Sequence, residues 1–312
     1  GAFFIRRKFR GDRLYTAVVD AYLRRLLRDG WIIEFFMEGG RSRTGKLMSP
    51  MLGLLSMVVS SALGLEGRPV HFVPVAIGYE RLMEERAYAR ELSGETKEPE
   101  DATQLLRITR LLADRWGRIN IQLGEGIELG RLREEMGLPD TLSPPERRAL
   151  VKRVAFQAMS EINRVTALTP GSLLALVLLS YGRRGVAYRD LLTHAGRLLG
   201  MLLELGARAT PSLVGPDGKE LRERGIRETL NTYVKSGLVE QHVPGDTLTA
   251  EGRRRAALYA GTDVIFTVPV PKRIRLDLAK NHIIHWLVDR ALGAVALLCR
   301  PEAQAPDGGP AL

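Results

Sequence analysis

Residues 35–46 read Phe35-Phe36-Met37-Glu38-Gly39-Gly40-Arg41-Ser42-Arg43-Thr44-Gly45-Lys46, an apolar strand pattern running into a turn with three glycines, three cations, one carboxylate and two hydroxyls. Open α/β sheets bind ligands at the carboxyl ends of their strands, where backbone N–H groups and loop side chains converge. Two arginines separated by one residue can offer planar guanidinium forks to a phosphate dianion, and glycines let the backbone approach closely. Such a turn suits a phosphate ester. Glu38 would repel a phosphate, so its better use is to accept hydrogen bonds from ligand hydroxyls or to hold an arginine. The plain alternative is a solvated basic loop after a core strand.

Two other segments could meet the same ligand. Arg6-Arg7-Lys8 follows directly on the apolar run Gly1-Ala2-Phe3-Phe4-Ile5, and if that run neighbours Ile32–Met37, Arg6 or Arg7 comes close to Arg41 and Arg43. The run Phe72-Val73-Pro74-Val75-Ala76-Ile77-Gly78-Tyr79-Glu80 carries a proline, which has no N–H for a ladder and belongs at an edge or an irregularity. Val73, Pro74, Val75 and Ile77 could border an acyl chain there, core packing being the alternative.

The elements that must hold these residues follow from periodicity. Ala2–Ile5, Ile32–Met37, Val70–Ile77 and Arg118–Leu123 read as short strands buried on both faces. Tyr15–Arg28 and Leu52–Leu63 between them have helical spacing. This order predicts an α/β domain with a mostly parallel or mixed sheet flanked by helices. The Gly137-Leu138-Pro139-Asp140 and Ser143-Pro144-Pro145 cluster marks a boundary, placing the first domain at 1–145 and a mainly α-helical domain at 146–300. Helices are expected over Arg148–Thr166, Leu173–Tyr181, Tyr188–Leu205, Ile226–Ser236 and Ala279–Leu298, with 301–312 a disordered tail.

Composition limits the partners. The chain has 312 residues, 45% hydrophobic and 26% charged, enough for two ordinary domains and unlike a disordered protein. Its net charge is +10, and residues 1–50 hold 11 basic against 5 acidic side chains, so anionic ligands are favoured in that region. One cysteine, Cys299, allows no internal disulfide and no CxxC knuckle, and no signal peptide opens the chain, which points to a reducing compartment. No Walker loop, dinucleotide fingerprint or nucleophile elbow appears.

The three segments, in this order and spacing, resemble the membrane-associated glycerol-3-phosphate 1-O-acyltransferase family, the large bacterial type related to dihydroxyacetone-phosphate acyltransferases. Gly1–Arg7 is similar to the family's second block, Glu38–Gly45 to its third, and Val73–Glu80 to its fourth. Related lysophosphatidate acyltransferases usually carry a shorter Pro-Glu-Gly-Thr-Arg-Ser block. Weaker similarity continues through Tyr88–Gly94, Gly124-Glu125 and the helical second half. The resemblance implies a glycerolipid acyltransferase-like domain that moves a fatty acyl group from acyl-CoA or acyl carrier protein to the sn-1 hydroxyl of glycerol 3-phosphate, the first step of phospholipid synthesis. It implies that Arg7, Glu38, Gly39, Arg41, Ser42 and Arg43 bind glycerol 3-phosphate and that Val73, Pro74, Val75 and Ile77 line the acyl-donor side. No cofactor and no metal are called for.

One departure stands beside the match. The family's first block is a His followed five positions later by Asp, the imidazole taking the proton from the glycerol hydroxyl. None of His71, His194, His242, His282 and His285 has Asp five residues on, and this block precedes the second in the family. It is therefore expected to be lost upstream of Gly1, leaving a truncated enzyme without a catalytic residue of its own. His282, His285 and Asp289 would share one face of the expected last helix, which makes a metal site conceivable but much less probable than a plain helix surface.

A rival reading takes Ile226 to Ala257 as a winged helix-turn-helix in a nucleic-acid-binding or regulatory protein, which the basic charge would fit. That region has no evident basic recognition helix, so a structural helical domain and no nucleic-acid partner are preferred. Neither Leu173–Leu179 nor Ile283–Leu298 offers the roughly 20 uncharged residues that span a bilayer. Membrane contact is expected to be peripheral, at the cytoplasmic face of a bacterial inner membrane. It would be driven by anionic phospholipid and helped by an amphipathic helix such as Leu191–Leu205.

Overall fold

The computed structural model describes residues 1–6, 11–40, 42–65, 67–79, 118–182, 184–242 and 264–299. They form two compact units, the first running to Thr166 and the second from Ala167 onward.

In the first unit, helix α1 (Arg13–Arg28) starts at Asp12, whose carboxylate accepts the Tyr15 N–H at 3.0 Å. The side-chain oxygen satisfies one of the donors that a helix N-terminus leaves unpaired. α1 buries Val19 and Leu23 with Val58 of α2 (Leu52–Leu63), and the buried Ser61 hydroxyl donates to Asp20 at 3.1 Å. α2 turns Leu55, Val59 and Ala62 toward α4 (Pro144–Val165), where Leu150, Val151, Val154, Ala155 and Ala158 complete one core. The short helix α3 (Leu129–Glu135) adds Leu129 and Leu132.

The strands pair otherwise than expected. β1 (His71–Phe72) pairs with β4 (Ile127–Glu128), and β2 (Val75–Tyr79) pairs with β3 (Ile119–Leu123), both antiparallel. Together they are one ribbon interrupted at Val73-Pro74. Pro74 has no N–H to give, while its carbonyl accepts the Gly124 N–H at 2.8 Å, so the ribbon kinks there and resumes. Ala2–Ile5 and Ile32–Phe36 lie in no helix and join no ladder among the described residues, and Met37 already begins a turn. The expected mostly parallel or mixed sheet is therefore corrected to small antiparallel pairs in a mixed α/β unit. Nor are the two segments buried on both faces. Alternate side chains, Ile5, Ile33 and Phe35, pack with α1 and α2, while Phe4 and Ile32 on the opposite side are 98% and 97% exposed. Among the described residues, helices cover one side only.

The boundary also moves, from Pro145 to Thr166. Ser143-Pro144-Pro145-Glu146 is a helix start and not a linker: the Glu146 carboxylate accepts the Ser143 N–H at 2.8 Å, and proline sits at the first helical positions, where a missing N–H costs nothing. These bonds from Ser143 hold the Glu146 carboxyl below its usual pKa.

The second unit is built around α5 (Pro170–Ser180), buried on nearly every side. The chain continues through β5 (Val186–Ala187), α6 (Tyr188–Glu204), α7 (Glu223–Lys235), β6 (Glu240–His242) and β7 (Ile265–Thr267). The three strands form an antiparallel sheet in the order β5-β7-β6. Among the described residues the order helix, strand, helix, helix, strand, strand, with the last strand central, matches that of a winged helix, so the unit is not purely helical. Asp246–Arg255 lies outside the described residues. On α7, Arg224 pairs with Glu228 at 2.7 Å and Arg227 with Glu223 at 3.9 Å, so two of its three cations have carboxylate partners on the same helix. The leucines of α6 offered as membrane contacts, Leu191, Leu199 and Leu202, are core.

The expected helix Ala279–Leu298 breaks into α8 (Arg273–Asn281), a 3-10 turn (Ile284–Trp286) and α9 (Val288–Leu298). His282, His285 and Asp289 therefore share no helix face, and no metal-binding group of His, Cys, Asp and Glu occurs among the described residues. Burial lowers the pKa of His282.

Two predictions follow from the packing of this unit. A Cβ added at Gly225 would lie 1.9 Å from the Ser212 carbonyl oxygen, whereas one at Gly200, on the outer side of α6, meets nothing within 4 Å. Gly225→Ala should cost about 1–3 kcal/mol through overpacking, and Gly200→Ala should gain about 0.5–1 kcal/mol, read as opposite shifts of the thermal midpoint. His282 binds its proton less readily folded than unfolded, so the unfolded chain takes up more protons as pH falls through about 6.5. Stability should drop below that pH by up to about 1.4 kcal/mol per unit from this group, and His282→Gln should flatten that part of the profile.

Candidate functional site

The three sequence blocks converge on α1 and α2. Ile5 from the first, Ile33 and Phe35 from the second, and Phe72 from the third pack in one cluster with Val19, Leu23 and Val58. Their apolar residues are what draws the blocks together. Phe35, Met37 and Phe72 also reach the neighbouring core of α2 and α4.

After Met37 the chain makes an excursion and returns. The Gly39 N–H donates to the Phe36 carbonyl at 3.2 Å, and the Met51 N–H donates to the Met37 carbonyl at 2.7 Å just before α2 begins. Glu38, half-buried, accepts the Met48 N–H on Oε2 at 2.8 Å. The carboxylate thus clamps the far limb of the loop to its start. Gly39 has φ +64°, and a Cβ there would stand 2.9 Å from the Met51 side chain, so the turn needs glycine for both backbone and space.

Within the loop the Ser42 hydroxyl donates to the Lys46 carbonyl, and the Lys46 N–H donates to the Thr44 hydroxyl at 3.4 Å. Ser42 therefore braces the turn, and its proton is already committed. Gly45 takes φ +76° to close this inner bend. Arg43 and Lys46 lie on the exposed side. Arg41 and Arg7, both expected at the phosphate, lie outside the described residues. Arg6 is held at the start of α1: its N–H donates to the Tyr15 hydroxyl at 3.1 Å, its guanidinium lies 4.6 Å from the Tyr15 ring centre, and it pairs with Asp12 at 3.4 Å.

The acyl-side residues divide. Pro74 is buried at the kink, against Gly124. Val73, Val75 and Ile77 are exposed, and the last two stand opposite Leu123 and Ile121, themselves exposed, with Tyr79 opposite Ile119. One face of the ribbon is thus an apolar strip open to solvent. The contribution of Ile119, Ile121 and Leu123 was missed in the sequence, although their alternation with Asn120 and Gln122 is the signal that finds them. α4 steadies the end of the strip, since Glu161 accepts the Glu125 N–H at 3.1 Å.

Two family profiles match the chain, one described as "Acyltransferase" over residues 1–78 and one as "Glycerol-3-phosphate acyltransferase C-terminal region" over residues 88–307. The chain is 37% identical to a glycerol-3-phosphate acyltransferase of Shewanella woodyi over 294 residues, covering 91% of this chain and 35% of that protein. It is 37% identical to the protein of that name from Shewanella amazonensis over 76% of this chain and 30% of the relative. The figures for Pseudomonas aeruginosa strain LESB58 are 37% identity, 76% of this chain and 28% of the relative. The chain thus spans about a third of the length of the curated relatives it matches. These matches favour the acyltransferase family over the nucleic-acid reading. With one profile covering most of the sequence and relatives above 30% identity along it, the chain belongs to the glycerol-3-phosphate acyltransferase family.

Proposed function

We propose that this chain supplies the glycerol 3-phosphate site and the acyl-chain surface of an acyltransferase acting on the sn-1 hydroxyl, with acyl-CoA or acyl carrier protein as donor. The observation that carries the reading is the loop after Met37, closed by the Met51 and Glu38 hydrogen bonds so that its cationic stretch is displayed on a fixed base. A phosphate dianion on Arg43, with Arg41 and Arg7 as its further proposed partners, gains charge-assisted hydrogen bonds. Glu38 then acts on the ligand through the loop, by fixing Met48. The apolar strip of β2 and β3 is the surface proposed for the acyl chain.

In the reaction the hydroxyl oxygen attacks the thioester carbonyl, a base removes the hydroxyl proton, and the thiol leaves as the ester forms. A positioned base is worth roughly 10²- to 10⁴-fold. No histidine here has the Asp five positions on that the family's first block carries, so these residues are expected to bind the acceptor far better than they turn it over. The product is an amphiphile destined for a bilayer, and the +10 charge favours anionic headgroups. No helix among the described residues is long and apolar enough to cross a membrane. Peripheral attachment at the cytoplasmic face of a bacterial inner membrane accords with these features.

Titration calorimetry with glycerol 3-phosphate tests the site. Arg43→Ala and Arg41→Ala should each weaken binding about tenfold or more, since a charge-assisted contact is worth about 1.5–3 kcal/mol. Unchanged affinity in both variants, or equal affinity for glycerol lacking the phosphate, would sink the assignment. Glu38→Ala should weaken binding and, by freeing the Met48 limb of the loop, lower the unfolding midpoint modestly, while Glu38→Gln, which keeps an oxygen acceptor for the Met48 N–H, should retain most of both. Steady-state acyl transfer by the 312-residue chain should be negligible, and robust turnover would refute the missing-base argument.

A further inference from the structure

Helix α9 (Val288–Leu298) has no buried residue, yet its sequence is Val-Asp-Arg-Ala-Leu-Gly-Ala-Val-Ala-Leu-Leu, apolar except for Asp289 and Arg290. At 100° per residue Val288, Leu292 and Val295 fall on one stripe with Leu298 beside it, and Leu292 and Leu298 are 64% and 85% exposed. An isolated helix this short is marginal in water, and its packing lies at its entry, where Trp286 and Leu287 join the core of the second unit. Such a helix is built to be covered.

Of a bilayer span, a second copy and a lipid surface as covers, size favours the last. Eleven residues reach about 16 Å, half of a bilayer's hydrocarbon thickness of about 30 Å, so the helix does not span. A second copy would gain a footprint about 16 Å by 10 Å, well below the roughly 800 Å² per partner of a stable interface. A lipid surface needs no minimum footprint. Lying flat at the boundary between headgroups and acyl chains, the helix sets its stripe in the apolar layer with Asp289 at the flank and Arg290 facing water, while Leu297, 80% exposed beside Arg290, stays outside the stripe. The net charge of +10 draws the chain to anionic headgroups.

We infer that α9 is an interfacial anchor that seats the second unit on an anionic membrane surface. This rests on the peripheral attachment proposed above and names the element that makes the contact, in place of α6. The only cysteine, Cys299, is exposed immediately after the helix and gives a natural position for an environment-sensitive fluorophore. The full chain labelled there is mixed with phosphatidylglycerol–phosphatidylethanolamine vesicles at low salt, and flotation and emission are read together. The expected result is co-flotation with a blue-shifted probe that lipid-borne quenchers reach. The double variant L292E/V295E should lose at least tenfold in partitioning, with circular dichroism and thermal midpoint unchanged because neither side chain is core.

Co-flotation of wild type and L292E/V295E to the same extent, or a probe that stays in water while the protein floats, overturns the anchor and leaves peripheral attachment standing. Failure of the wild type to float overturns both. A vesicle-independent dimer that L292E/V295E dissolves would assign the stripe to a second copy and likewise overturn the anchor.

Discussion

The first unit depends on the return of the chain from Met51 to Met37. One backbone hydrogen bond closes the loop, and the next residue already begins α2, so the loop and the helix share a single anchor point. α2 in turn carries the side chains on which α1, α4 and all three sequence blocks pack. A change that opens the loop therefore also acts on the helix that organises the core. The reverse holds as well: burial of Leu55, Val58 and Val59 is what keeps the base of a charged, glycine-rich turn from wandering. Apolar packing elsewhere offsets the entropy of ordering a loop with positive φ at Gly39 and Gly45.

Glu38 shows how a residue of a binding motif can act at one remove. A carboxylate beside a phosphate site looks misplaced on charge alone, and the hydrogen bond to the Met48 N–H gives it a mechanical task. Ser42 is similar, its hydroxyl serving the Lys46 carbonyl. On the proposed reading, contact with the anion falls to the arginines, whose planar forks suit it. The second unit makes a related point about folds. It has the strand order of a winged helix, but its third helix pairs Arg224 and Arg227 internally, so the topology does not bring nucleic-acid chemistry with it.

Local signals were legible where one element answers to one pattern. The helical spacing over Tyr15–Arg28 marked α1, although the face it buries is that of Val19 and Leu23, and the run Leu173–Leu179 marked the buried centre of α5. The motif Glu38–Gly45 stood out by composition. Pairing was not legible, because the antiparallel match of Val75 with Leu123 joins residues far apart in the chain, and apolar runs alone do not say which neighbour they take. Ser143-Pro144-Pro145 misled because proline serves linkers and helix starts alike, and only the Glu146 contact separates them. Leu191, Leu199 and Leu202 showed an amphipathic stripe whose partner, the core around Phe266 or a lipid surface, periodicity cannot name. Inside the site, the Met48 and Lys46 backbone partners were invisible because backbone groups have no sequence signature.

The kink at Pro74 has a consequence for solubility. His71–Tyr79 is rich in branched and aromatic residues with almost no charge, and it presents Val73, Val75, Ile77 and Tyr79 to solvent. An unbroken strand of that composition would be a template for cross-β stacking between molecules. A proline at its centre withholds one donor and bends the edge, so a growing stack would lose register at every copy. The residue that shapes the ribbon is thereby also its gatekeeper, and Pro74→Val would be expected to trade a straighter strand for a sticky one.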